Sequence, residues 1–81
     1  MKDKDAIYLG PPVESMRDKI ISSQKLYYTA AIGRLIINVE NLMQKGVGVA
    51  EHPDLMETID SELGKIAELH DKIEVLEGYF E

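Results

Sequence analysis

The most apolar stretch of the chain, Leu26–Met43, has the periodicity of a helix that buries one broad side. On a helical wheel, the apolar residues of a helix through this stretch fall in one arc of about 160°. The members of this arc are Ile20, Ile21, Tyr28, Ala31, Ile32, Leu35, Ile36, Val39, Leu42 and Met43. Some of them alternate at spacings of four and three residues, which is typical of a coiled-coil seam. These predicted seam residues, which should face a second helix, are Tyr28, Ile32, Leu35, Val39 and Leu42.

A second and narrower apolar stripe lies on the opposite side of the same helix. We call this set the back stripe, and its members are Leu26, Ala30, Gly33 and Ile37. Two of the four residues are small, so another backbone can approach closely there. Because one neighbouring helix cannot cover both sides, we expect the chain to form a homo-oligomer, with a dimer favoured. If the back stripe is buried, another chain or the N-terminal tail buries it.

Helix 1 is predicted to begin between residues 12 and 16 and to end at Lys45. Pro12 suits the first turn of a helix, and Ser15 with Asp18 forms an alternative start that resembles a capping box. A cation in the last turn followed by Gly46 is a usual stop signal. We therefore place helix 1 at about 13–45.

Helix 2 is predicted at about 53–79, after a loop over 46–52. Pro53 fits the first helical position, and the acidic Asp54 suits the positive end of the helix dipole. The apolar arc of this helix contains Leu55, Met56, Ile59, Leu63, Ile66, Leu69, Ile73, Leu76 and Phe80. A connection this short makes the two helices antiparallel neighbours.

The predicted fold is thus an all-α, antiparallel two-helix hairpin over residues 12–81, completed by homodimerisation into a four-helix bundle. Residues 1–11 are predicted to form an extended or disordered tail. The apolar segment Ala6–Leu9 within that tail is expected either to dock on the helices or a second chain, or to stay free.

Size and charge narrow the classes of function. The chain has 81 residues and no Cys, so disulfides and thiolate metal sites are excluded, and self-association is the remaining common source of stability. The formal net charge of −6 divides into +2 for residues 1–50 and −8 for residues 51–81. This balance argues against nucleic-acid binding, which needs a basic surface. It favours a solvated acidic face, with an acidic inhibitor or nucleic-acid mimic that binds a basic protein as the alternative.

The sequence contains no signal-peptide pattern and no stretch apolar enough for a membrane span. We therefore expect a cytoplasmic protein that does not associate with membranes.

Candidate chemistry is sparse. If the helix ends at the loop lie opposite each other, Arg17 lies near Glu81, Asn38 lies near Asp60, and His70 lies beside Tyr28 or Thr29. His70 falls inside the apolar arc of helix 2, where it either bonds to Tyr28 or a backbone carbonyl or acts as a ligand or a pH-sensitive interface group. The carboxylate pairs on helix 2 lie on its outer face, so they are predicted to be solvated; they are Glu57/Asp60, Glu68/Asp71 and Glu74/Glu77.

We therefore predict no catalytic residue, no metal ligand and no cofactor. The expected function is a small self-associating, protein-binding or scaffolding protein, with another protein as a further partner. One alternative is a metal- or nucleotide-dependent enzyme site, assembled across a symmetric interface from inward-facing Glu62 and His70. The predicted interface residues are Leu26, Tyr28, Ala30, Ile32, Gly33, Leu35, Ile37, Val39, Leu42, Ile66, His70 and Ile73.

Overall fold

The computed structural model describes residues 15–45 and 53–81, which form two α-helices. Helix α1 spans Met16–Lys45 (30 residues) and helix α2 spans Pro53–Tyr79 (27 residues). Neither of the two described ranges contains a strand. The prediction of an all-α hairpin is confirmed at this level, and its completion by a second copy stays a prediction.

Helix α1 begins after a serine whose side chain accepts one of the free backbone N–H groups of the first turn. The backbone N–H of Asp18 donates to Ser15 Oγ at 3.0 Å, and the N–H of Lys19 donates to the Ser15 carbonyl at 3.1 Å. Ser15 is therefore the N-cap of α1. The predicted tail (1–11) and loop (46–52) lie outside the described residues.

Helix α2 starts with a carboxylate in its first turn and ends without a cation in its last turn. Asp54 lies at the positive end of the helix dipole, and its carbonyl accepts a hydrogen bond from Thr58 Oγ1 at 2.8 Å. At the other end, the N–H of Phe80 donates to the Leu76 carbonyl at 3.0 Å. The negative end of this dipole is left to cations from α1.

The two helices meet along a seam whose residues alternate at spacings of four and three. Every described side chain of α2 that is buried or half-buried belongs to it. This period of 3.5 residues is that of a coiled-coil contact. The α1 members of the seam are Ile21, Lys25, Tyr28, Ile32, Leu35, Val39 and Leu42, and the α2 members are Leu55, Ile59, Glu62, Ile66, Leu69, Ile73 and Leu76.

Cross-helix contacts show that the helices run antiparallel. Arg17 near the start of α1 bonds to Phe80 after the end of α2, and Asn38 late in α1 bonds to Glu62 early in α2. The register is close to the predicted one, which placed Asn38 beside Asp60. Asn38 instead contacts Glu62, the one carboxylate of the seam, because Glu62 faces α1 whereas Asp60 is exposed on α2.

The seam buries little hydrophobic surface. Ile21 and Val39 are the only hydrophobic residues classed as buried among those the structure describes, and none of these residues has a fully buried side chain. A contact between only two helices covers a narrow strip of each, so most seam residues stay half-buried. The hairpin therefore has little hydrophobic stabilisation of its own.

Replacing Leu35 by Asp should remove most of the helical circular dichroism and abolish a cooperative thermal transition. A charge would enter the middle of the seam without a partner, at a cost of about 2–5 kcal/mol, which is large for so small a core. Ser23→Asp, which adds the same charge on the exposed side of α1, should change stability by no more than about 0.5 kcal/mol. Full helicity and an unchanged melting temperature in Leu35→Asp would show that the seam is assigned wrongly.

Candidate protein-interaction surfaces

The seam contains one buried carboxylate, and it is satisfied from both sides. Glu62 is 8% exposed. Its Oε1 accepts a hydrogen bond from Asn38 Nδ2 at 2.9 Å, and its Oε2 lies 3.1 Å from Lys65 Nζ. The first bond crosses between the helices and the second stays within α2. Both carboxylate oxygens therefore have a donor, as burial of a charge requires.

These donors also change the acidity of the carboxyl group. The hydrogen bond from Asn38, and then that from Lys65, lower the pKa of Glu62 below its ordinary value of 4.5, although partial burial acts in the opposite direction. Both bonds favour the charged form, which is the form that can accept from two donors. Glu62 is thus held as a carboxylate at neutral pH.

At the open end of the hairpin, cations from α1 meet the last turn of α2. Arg17 Nη2 donates to the Phe80 carbonyl at 2.6 Å. Lys25 Nζ lies 2.8 Å from Glu81 Oε2 and 3.2 Å from Glu77 Oε2. Its hydrogen bonds to Glu81 and Glu77 raise the pKa of Lys25. These contacts supply the positive charge that α2 lacks at its own C-terminal end.

The described polar contacts in the middle of the hairpin lie on one side of the seam, which we call the polar edge. Its polar members are Gln24, Asn38, Lys65 and Lys72, which precede the seam residues Lys25, Val39, Ile66 and Ile73. Gln24 Nε2 donates to the Tyr28 hydroxyl at 2.9 Å, and Lys72 Nζ lies 5.7 Å from the centre of the Tyr28 ring. The polar groups of this edge thus find partners inside the hairpin.

The opposite side of the seam is apolar near the loop. We call it the apolar edge. Its members are Ile36, Met43, Met56 and Leu63, which follow the seam residues Leu35, Leu42, Leu55 and Glu62. In an antiparallel pair of helices, these flanking positions of one helix lie beside the same flanking positions of the other helix. All four side chains are exposed, with Met56 at 63%. The helical wheels predicted these residues within the apolar arcs; the structure instead leaves them on the surface, because the other helix covers only the seam.

The back stripe of α1 is also uncovered by the described part of the chain. Leu26 is 72% exposed and Ile37 is 66% exposed, and Ala30 between them is exposed as well. A Cβ atom added to Gly33 would meet nothing within 4 Å. Within the hairpin, therefore, no close approach of another element explains the glycine.

His70 is exposed, contrary to its predicted place inside the apolar arc of α2. It directly follows Leu69 of the seam, so it lies on the same side as the apolar edge but nearer the open end. The Tyr28 ring, the expected neighbour of His70, has Tyr27 and Lys72 beside it. Glu62 is buried and His70 is exposed, so they do not form an inward-facing pair within one hairpin.

The predicted interface residues divide into two groups in the structure. Seven lie in the seam between α1 and α2, and five lie on the outside. The seam group is Tyr28, Ile32, Leu35, Val39, Leu42, Ile66 and Ile73, and the outside group is Leu26, Ala30, Gly33, Ile37 and His70. Whether the outside group meets another chain stays a prediction. Sequence reasoning did not separate out the apolar edge, although its position just after the seam on both helices was readable.

Two further properties of the described residues bear on function. In residues 15–45 and 53–81, no group of three or more His, Asp or Glu side chains is placed to hold a metal ion. Neither α1 nor α2 carries a stretch that is long and apolar enough to cross a membrane.

Glu62→Gln should make the stability of the hairpin less sensitive to acid. Because the folded pKa of Glu62 is lowered, its carboxylate contributes stability that is fully present above pH 4.5, and this stability is lost as the pH falls through the lower folded pKa. Melting temperatures measured from neutral pH down to about pH 3 should fall less steeply for Glu62→Gln than for wild type. The control Glu57→Gln removes the same charge on the exposed face, and an equal effect there would contradict the role given to Glu62.

Gly33→Ala should raise the free energy of unfolding by about 0.5–1 kcal/mol, since alanine restricts the unfolded chain and favours helix. The structure has room for the added methyl group. Gly64→Ala on α2 has equal room and should give a similar rise in urea or thermal unfolding. Destabilisation by Gly33→Ala alone would show that a second chain packs closely on the back stripe.

Comparisons of the chain with protein-family models, with curated proteins and with solved structures gave no match.

Proposed function

We propose that this chain is a small self-associating helical protein that binds or scaffolds other proteins and has no catalytic activity of its own. Two copies of the hairpin would pair into a four-helix bundle. The bundle would then present its acidic outer surface to a partner.

The observation that carries the proposal is the mismatch between buried and exposed apolar residues. Two hydrophobic residues are buried among those described, whereas twelve large ones are exposed. Exposed apolar patches on a soluble chain usually mark an interaction surface. A chain this small also gains the stability that it lacks when it associates.

The pattern of the helices supports a bundle rather than a lone coiled coil. A two-helix coiled coil needs apolar residues at the seam positions alone, whereas helices of a bundle extend the apolar face by one flanking position. Near the loop, both α1 and α2 carry this extension, with Ile36 and Met43 on one helix and Met56 and Leu63 on the other. A second hairpin would cover such a face.

The ionisable groups support a structural role. Glu62 and Lys25 are the charged residues of the seam, and each is engaged by partners from the hairpin itself. The shifts in their pKa values are explained by these contacts. Catalysis is not needed to account for either shift.

The protein should have a solution mass of about twice the 9.1 kDa of one chain at micromolar concentration. Its melting temperature should rise with protein concentration, because association stabilises only the folded state. Light scattering after gel filtration and melting curves over a range of concentrations measure the two effects. A mass of one chain, together with a melting temperature that does not depend on concentration, would rule out the self-association.

A further inference from the structure

We infer that the apolar edge, Ile36, Met43, Met56 and Leu63, is the surface through which a second copy of this chain docks. The inference rests on the proposed self-association and identifies the surface of the hairpin through which the two copies contact each other. The back stripe, another exposed apolar surface of α1, would then lie outside the interface.

The two edges of the hairpin differ in whether their side chains have partners within the hairpin. The polar edge forms its own contacts: Asn38 and Lys65 bond to Glu62, and Gln24 and Lys72 contact Tyr28. On the apolar edge, four large side chains remain exposed on the described structure. Both edges of an isolated hairpin face water equally, and a partner that covers one edge accounts for this difference.

Both helices contribute to the apolar edge, which favours a second hairpin as the occupant. The back stripe belongs to α1 alone. Because the outer face of α2 is acidic, the surface of the hairpin away from the seam offers no apolar face shared by both helices. In a four-helix bundle, each hairpin covers both helices of the other. The edge is also self-complementary, because a two-fold axis brings identical apolar side chains together.

Charge favours a second copy on this edge as well. The chain carries a net charge of −6, so two copies repel each other over most orientations. The apolar edge has no charged member, and docking through it leaves the acidic outer faces of both α2 helices in solvent. Two like-charged copies can therefore approach here at low electrostatic cost.

The position of the apolar residues along the apolar edge determines which ends of the two hairpins overlap. Toward the open end, the equivalent positions are Ser22, Thr29, His70 and Glu77, and Glu77 is engaged with Lys25. A full-length overlap with the loops at opposite ends would press these polar residues against the apolar ones. The apolar halves instead meet each other, so the loop-proximal parts of the two α1 helices lie close together.

The test compares two matched charge insertions by sedimentation analysis. Leu63→Lys on the apolar edge should weaken self-association by about tenfold or more, since a desolvated charge in a small interface is costly. Leu26→Lys makes the same replacement on the back stripe and should change the dissociation constant by less than about twofold. Circular dichroism at the same concentrations checks that both variants remain helical.

A label experiment tests the arrangement even if the lysine variant fails to fold. The chain has no Cys, so Gln44→Cys on the exposed side of α1 takes a single spin label. The distance between the two labels of a dimer distinguishes the arrangements. If the apolar halves meet, the labels are separated by no more than about 13 Å along the helix axis. A full overlap with the loops at opposite ends separates them by about 40 Å along the same axis.

The outcomes are distinguishable. A wild-type protein that stays monomeric overturns both the proposed self-association and this inference. A dimer that resists Leu63→Lys but dissociates in Leu26→Lys, or one with the long label separation, overturns the apolar edge and leaves self-association standing. Loss of association in Leu63→Lys alone, with the short separation, supports the inference.

Discussion

The hairpin depends on the seam in which α1 and α2 contact each other along their length. Each helix places about two residues in every seven at this contact, so the buried strip is narrow. Val39 and Ile21 are buried, and the other apolar members of the seam keep partial contact with water. Most other features of the molecule follow from the narrowness of this strip, because the apolar side chains that the seam does not cover are exposed to water or contact another chain.

The seam is also where the register of the helices is specified. Glu62 occupies a position that an apolar residue would otherwise fill, and its two oxygens are satisfied by Asn38 and Lys65. Sliding α2 along α1 would separate Glu62 from Asn38 and leave a buried charge short of a partner, which is costly. Such a polar contact adds little net stability but disfavours the wrong alignments. The ion pairs of Lys25 at the open end add a second point of alignment.

The flanks of the seam divide the molecule into two unlike edges. On one edge, polar side chains contact partners within the hairpin, by hydrogen bonds or, for Lys72, over the Tyr28 ring. On the other, Met56 and its apolar neighbours extend the hydrophobic face beyond what a two-helix contact covers. The two edges therefore differ in how much apolar surface they leave exposed, and this asymmetry is the basis for the proposed role in association.

The sequence alone determined that the chain forms two helices and which side of each faces the other. Tyr28, Ile32, Leu35, Val39 and Leu42 are spaced at the coiled-coil period, and the structure places them in the seam. Ser15 was readable as a helix cap because its side chain and the acidic residue that follows form a local pattern. Such features depend on residues within one or two turns of each other.

Only the tertiary structure decided how wide the buried strip is. A helical wheel shows which side of a helix is apolar, but it does not show how much of that side a neighbour covers. His70 and Met56 fall within the apolar arc on the wheel and are exposed in the hairpin. Asn38 likewise pairs with Glu62, which the position of α1 buries in the seam, and not with the exposed Asp60. Periodicity is a property of one helix, whereas burial and pairing depend on the position of the second.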